Sequence, residues 1–219
     1  MAVIALANVT LNAVNPMTDF LRERDHSLKI RNYLDSYLLE KVGKEGGVND
    51  SSVQRMFDMV ATAADDGADA ILITCTIFSP YAELFSKILS KPVVSPDRAM
   101  LDEVARENGK TAIICTFTGT VETTRRMYQS RCHEAGVPDD VDMYVADGAL
   151  DALNEGDWDT FHERIQKKVR ELDSKYDSIV LAQISMAGAA RGMEMQHAKL
   201  FCSPESAYQT VRGILENRA

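Results

Sequence analysis

The sequence predicts an α/β protein built as two pseudo-symmetric lobes, each a parallel sheet flanked by helices. Three observations carry that prediction. Short apolar, often β-branched runs alternate with amphipathic helical stretches, the pattern of βαβ units. Several of these runs recur at a spacing of 108 residues. The recurring runs also end in small polar residues, at the positions from which open parallel sheets hold ligands. The expected extents are 1–96 for the first lobe and 97–205 for the second, joined near 97–110, with a C-terminal helix over 206–219 that can pack back on the first lobe.

Val3 to Ala7 (VIALA) reads as the first strand, echoed by Thr111 to Cys115 (TAIIC). Leu28 to Leu34 is a second strand, and the loop with Gly43, Gly46 and Gly47 separates two helix-like segments. Asp50 to Asp65 spaces Val53, Met56, Phe57, Val60 and Ala64 along one helical stripe, with Asp50, Ser51 and Ser52 as cap candidates. Asp69 to Cys75 (DAILITC) is a strand matched by Asp177 to Gln183 (DSIVLAQ), and YAELFSKIL after Pro80 is a helix. Val93 to Pro96 (VVSP) pairs with Phe201 to Pro204 (FCSP). In the second half Val141 to Val145 adds a strand, and Phe161, Ile165, Val169 and Leu172 form a stripe within Trp158 to Leu172.

Composition narrows the function. A chain of 219 residues with 45% hydrophobic and 26% charged residues can bury a sizeable core. A formal net charge of −9 argues against nucleic acid, whose phosphates call for a basic surface. It leaves room for a small anion held by main-chain N–H groups. No apolar run approaches the roughly 18 residues that a membrane helix needs. The N-terminus MAVIALANVT has no basic flank and reads as a strand rather than a signal peptide, so the expected location is the cytoplasm. Cys75, Cys115, Cys132 and Cys202 form no CxxC pair and are expected as reduced thiols. The four histidines show no metal-ligand spacing, so no structural metal is expected. Neither GxGxxG nor a P-loop is present, which disfavours a nucleotide cofactor.

The strand ends hold the candidate chemistry. Cys75 ends the strand ILIT just before a helix, where unsatisfied N–H groups favour a thiolate. A buried core cysteine is the plainer alternative. At the same spacing Asn8 falls on Thr116 and Asn12 on Thr120, in two short polar loops that could cradle a carboxylate or simply cap helices. Arg125 and Arg126 could clamp a carboxylate, though a solvated helix face suits them better, and Arg191 has the same ambiguity.

The segments LANVTLNAVNPM, DAILITCT, KPVVSPDRAM, TAIICTFTGTVETT and DSIVLAQISMAG, in this order, resemble the strand-to-loop blocks of the aspartate/glutamate/hydantoin racemase superfamily, which includes arylmalonate decarboxylase and maleate isomerase. The resemblance implies two facing α/β lobes with a small carboxylic acid between them, no pyridoxal phosphate or metal, no cofactor at all, and a homo-oligomer. Racemases of this superfamily use two cysteines, one from each lobe. Cys75 matches the first, whereas Gln183 stands at the second. An amide neither gives nor takes a proton at accessible pH, so standard two-cysteine racemisation is not supported.

Three mechanisms stay open. Ser185, Cys115 or a water could replace the missing acid; Cys75 could work alone in decarboxylation or one-sided isomerisation; or Cys75 could add to a double bond. Asn12, Thr76, Thr116, Thr120, Gln183 and Ser185 are the expected substrate-binding residues, with Cys75 catalytic. The rival readings are a non-catalytic carboxylate-binding protein and, weakest, a nucleotide-binding regulator.

Overall fold

Four short segments with almost no polar side chains set the architecture: VIALAN, AILI, TAIIC and SIVL. Such runs survive only where both faces of a sheet are covered, and nearly every residue in them is buried. A computed structural model describes residues 1–217; positions 218 and 219, the end of the expected C-terminal helix, lie outside the described residues.

The chain divides into two compact units, residues 1–96 with 204–219, and residues 97–203. In the first unit the order is β1 (Val3–Asn8), α1 (Leu11–Arg24), β2 (Lys29–Leu34), α2 (Leu38–Lys44), α3 (Asp50–Asp65), β3 (Ala70–Ile73), a 3-10 turn (Thr76–Tyr81), α4 (Ala82–Leu89) and β4 (Val93–Val94). The second unit follows with α5 (Pro96–Glu107), β5 (Thr111–Cys115), α6 (Thr118–Ala135), β6 (Val141–Val145), α7 (Ala149–Asn154), α8 (Trp158–Leu172), a 3-10 turn (Asp173–Lys175), β7 (Ser178–Leu181), a 3-10 turn (Ile184–Met186), α9 (Ala187–Ala190) and β8 (Lys199–Cys202). Helix α10 (Ser203–Glu216) closes the chain.

Each unit holds one four-stranded parallel sheet, in the order β2-β1-β3-β4 and β6-β5-β7-β8. The apolar runs occupy the two inner positions of each sheet. The edge strands KIRNYL and VDMYV carry the charges and stay partly exposed, as edges that must not pair with other chains do.

The helices follow their stripes. Met56, Val60 and Ala63 of α3 are buried among Ala5, Ala7, Ile71 and Ile73, with Val53, Phe57 and Ala64 packed at the margin. Phe161, Ile165, Val169 and Leu172 of α8 are all buried, each contributing about 1.5–3 kcal/mol. The cap of α3 is Asn49 rather than Asp50, Ser51 or Ser52. Its Oδ1 accepts from the Ser52 N–H at 3.0 Å while its own N–H donates to Ser52 Oγ at 2.9 Å, a reciprocal capping box.

The repeat has a one-residue slip. Ile4 stands opposite Ala70 in one sheet and Thr111 opposite Ser178 in the other, so the first strand recurs at 107 where the third recurs at 108. Asn8 therefore corresponds to Cys115 rather than Thr116, and Asn12 to Gly119 rather than Thr120. The last strand slips likewise: Ile71 pairs with Val93 and Ile179 with Leu200. It runs over Lys199–Cys202, earlier than FCSP suggested, because α10 begins at Ser203. Apolar runs look alike in any register, and only the ladder fixes which residues pair.

Candidate active site

In each unit the chain lays a strand beside the first one, then returns past it to pair on its other side. The strand order thus reverses between the two inner strands, and open α/β sheets bind ligands at the carboxyl ends of strands at such a switch point. In the first unit the switch point lies between β1 and β3, and Cys75 follows the end of β3. Its backbone is extended (φ −125°, ψ 117°), and it heads the Thr76–Tyr81 turn. That turn is 3-10 rather than the start of an α-helix. The N–H groups of Phe78 and Ser79 already donate to the Cys75 carbonyl at 3.1 Å. The large dipole expected of a long helix is therefore not aimed at this thiol.

Cys75 packs with Val9, Ile73 and Phe78 but keeps 9% of its surface, whereas Cys115 and Cys132 keep none. Burial pushes the Cys115 thiol up to about 11 against the opposing pull of the Thr120 and Thr124 hydroxyls, and it raises Cys132 as well. A thiol so placed stays protonated near neutrality and is a core group. Cys115 is thereby a poor substitute for a second catalytic acid.

Asn8, fully buried at the end of β1, ties three strands together. Its Nδ2 donates to the Leu6 carbonyl (3.1 Å), to Asn32 Oδ1 (3.0 Å) and to the Tyr33 carbonyl (3.4 Å). Its Oδ1 accepts from Thr74 Oγ1 at 2.7 Å. The Thr74 N–H donates to the Ala7 carbonyl at 3.1 Å. Together these bonds fix the residue just before Cys75. Sequence reasoning placed Asn8 in a cradle loop and missed Thr74; a buried Asn at a strand terminus, needing up to four partners, was the available signal.

In the second unit Gln183 holds the backbone position that Cys75 holds in the first: extended (φ −134°, ψ 140°) and heading the Ile184–Met186 turn, 108 residues on. Its Oε1 accepts from the Thr116 N–H at 2.6 Å and from Thr116 Oγ1 at 2.7 Å. Thr116, expected to touch substrate, thus spends both donors on Gln183. Ser185 follows on the same turn, buried, and its hydroxyl makes no hydrogen bond to the described residues. The turn runs on into α9, which lies against α8 at Gly188. A Cβ there would come within 2.6 Å of His162 Nε2, so a larger residue would require the imidazole to move.

Asn12 and Thr120 lie inside α1 and α6 rather than in loops, at the second and third helical positions. Neither caps its helix. Thr120 Oγ1 instead donates to the Phe117 carbonyl at 2.8 Å. Where α3 and α8 carry side-chain caps from Asn49 and Asp157, α1 and α6 have none. The helices that follow the first strand of each unit thus leave main-chain N–H groups unclaimed by side chains. Thr76 is buried beside Cys75. Arg126 pairs with Glu122 at 2.6 Å on a solvated helix face, and Arg191 is exposed. Among the described residues no cluster of His, Cys, Asp or Glu could hold a metal ion, and no helix is long and apolar enough to cross a membrane.

The two units are thus α/β layers of the same strand order, with a thiol at the end of the third strand in one and an amide at the matching position in the other. The family model for Asp/Glu/hydantoin racemase matches residues 41–207, more than half of the chain, and the chain belongs to that family. At family level it is a cofactor-independent enzyme of racemase or isomerase type.

Among solved structures the fold is similar to a glutamate racemase of Bacillus anthracis (TM-score 0.73, 15% identity, 100% of this chain and 83% of that one). It is also similar to the aspartate racemase of Picrophilus torridus (0.73, 12%, 98% and 94%) and the allantoin racemase of Klebsiella pneumoniae (0.69, 14%, 99% and 88%). At such identities the likeness concerns the fold alone. No sequence among curated proteins matches the chain.

Proposed function

We propose that the protein catalyses proton transfer at the carbon next to the carboxylate of a small acid, with Cys75 as the acid/base. The proposed binding groups are Asn12, Thr76 and the uncapped start of α1 in the first unit, and Thr120, Gln183, Ser185 and the uncapped start of α6 in the second, with Thr116 acting through Gln183, whose oxygen takes both its donors. The observation that carries this reading is the contrast among thiols: Cys75 stands at the switch point of its sheet and keeps solvent contact, while Cys115 and Cys132 are sealed.

A carbon acid gives up its proton only if a base of matched affinity is in reach and the charge that develops on oxygen is met by fixed donors. Thiolate and N–H groups meet those two needs without a cofactor. Gln183 favours a second reading, decarboxylation of a malonate-like diacid. There carbon dioxide leaves in place of a proton, and a single thiol suffices to protonate the carbanion.

The test is incubation of amino acids, 2-hydroxy acids and 2-substituted malonates in deuterated buffer, comparing wild type with Cys75→Ser. Wild type incorporates deuterium at the carbon next to the carboxylate, and the variant loses at least ~100-fold in rate, the lower end of what a positioned acid/base contributes. Exchange that persists in Cys75→Ser would remove the proposal.

A further inference from the structure

We infer that Thr74, anchored by Asn8, is a positioning residue for Cys75. Its side-chain bond to the first strand fixes the direction in which the thiol leaves β3, so the rate of proton transfer depends on it while substrate binding does not. The inference rests on the reading of Cys75 as the acid/base, and it adds a residue that acts on the rate through its neighbour.

The bonds around Asn8 admit one arrangement. The Leu6 and Tyr33 carbonyls can only accept, so the atom facing them at 3.1 and 3.4 Å is the Asn8 nitrogen. Its oxygen is thereby turned to Thr74, whose hydroxyl has one hydrogen and gives it at 2.7 Å. The Asn8 nitrogen also donates to Asn32 Oδ1 at 3.0 Å, and Asn32 Nδ2 donates to Thr18 Oγ1 at 3.1 Å. An uncharged chain of side chains thus runs from α1 through β2 and β1 to the residue before Cys75, and Thr18, Asn8 and Thr74 are buried in it. Consecutive side chains of an extended chain point to opposite sides, and Cys75 is extended. Holding Thr74 against β1 therefore decides where the thiol points.

The second unit builds the same strand end without this bond. Ala182 stands where Thr74 does, 108 residues on, and Cys115 answers to Asn8. The main-chain bond is common to both: the Thr74 N–H meets the Ala7 carbonyl at 3.1 Å, and the Ala182 N–H meets the Ile114 carbonyl at 3.0 Å. A methyl group cannot tie Ala182 to the neighbouring strand. There the side chain of the next residue, Gln183, is itself held, by Thr116. In the first unit the anchor sits one residue earlier, which orients the chain without drawing on the thiol. Burying an amide is costly unless its partners are met, and a fully met network holds a single geometry. The fold does not demand that network at a strand end, so its place beside Cys75 serves the thiol.

The test measures Cys75-dependent deuterium exchange with the amino or 2-hydroxy acid that wild type exchanges fastest, in Thr74→Val, Thr74→Ser and Asn8→Ala. Thr74→Val keeps the shape of the side chain and removes the hydroxyl. It lowers kcat by at least about tenfold and leaves KM within about threefold, since an ångström of misplacement can cost about 100-fold in rate. Thr74→Ser restores kcat. Asn8→Ala lowers kcat as well, and adding Thr74→Val to it lowers kcat no further, because both remove one bond. Iodoacetamide still labels Cys75 in Thr74→Val, with Cys115 and Cys132 protected, because a small reagent needs access and not a fixed direction.

A kcat for Thr74→Val within about twofold of wild type overturns the inference, as does a loss carried by KM rather than kcat. So does a loss that Thr74→Ser fails to restore, or losses that multiply in the double variant. Labelling of Cys115 as fast as Cys75 in Thr74→Val overturns it too, since the hydroxyl would then hold the fold together rather than aim the thiol. The absence of Cys75-dependent exchange in wild type removes the proton-transfer reading and this inference with it. Exchange that is Cys75-dependent in wild type and undiminished in Thr74→Val removes the inference alone.

Discussion

Three of the four thiols separate by environment, and the separation is measurable. Cys75 keeps solvent contact at the end of β3, while Cys115 and Cys132 lie within an apolar cluster with Met100, Val104 and Ile113. Alkylation needs the thiolate and a path to it. Brief iodoacetamide treatment of the folded protein at neutral pH therefore labels Cys75, while Cys115 and Cys132 wait on opening of the fold and react orders of magnitude more slowly. Peptide mass mapping checks this, and equal labelling of Cys75 and Cys115 would contradict it. The same burial that protects Cys115 explains why a chemically attractive second acid is instead core: desolvation penalises its charged form.

At the scale of elements, the loop leading into β8 hangs on a single carboxylate. The N–H groups of Gln196, His197 and Ala198 donate to Asp173 at 2.7, 3.1 and 2.8 Å. These bonds, that from Gln196 foremost, hold its pKa below the ordinary carboxylate value. A carboxylate depressed in the native state stabilises fully above its ordinary value of about 3.9, and that contribution is lost as pH falls through the native one. Asp173→Asn is accordingly expected to cost about 1–3 kcal/mol at pH 7. The gap from wild type should shrink as pH falls below the ordinary value of about 3.9 towards the lowered native one, because the unfolded chain takes up the proton first. Urea unfolding at neutral and acid pH tests both expectations. A constant gap across pH would mean that the carboxylate's charge is not what matters.

At the scale of the molecule, the first unit is discontinuous, since residues 204–219 belong with 1–96. Ala207 and Val211 of α10 are buried, and Glu205 pairs with Arg24 of α1 at 2.7 Å. Deleting residues 204–219 is expected to raise amide hydrogen exchange in β1, β2 and β3 by at least about tenfold while changing β5 and β7 little, because local opening follows the packing that is lost. Uniform loss of protection in both sheets would show instead that the units unfold together.

By itself the sequence determined the α/β class, the inner strands, the stripes of α3 and α8, and a cysteine and a glutamine at matching strand ends. Those features are local: periodicity, apolar runs and spacing are properties of the chain before it folds. Pairing is not local. Only the folded ladder decided that the first strand repeats at 107, that Asn8 answers to Cys115, and that Asn8 clamps Thr74 across 66 residues. It also turned the Gln183 oxygen onto Thr116, 67 residues away, because a hydrogen bond between distant residues exists only once the sheet has brought its donors and acceptors together.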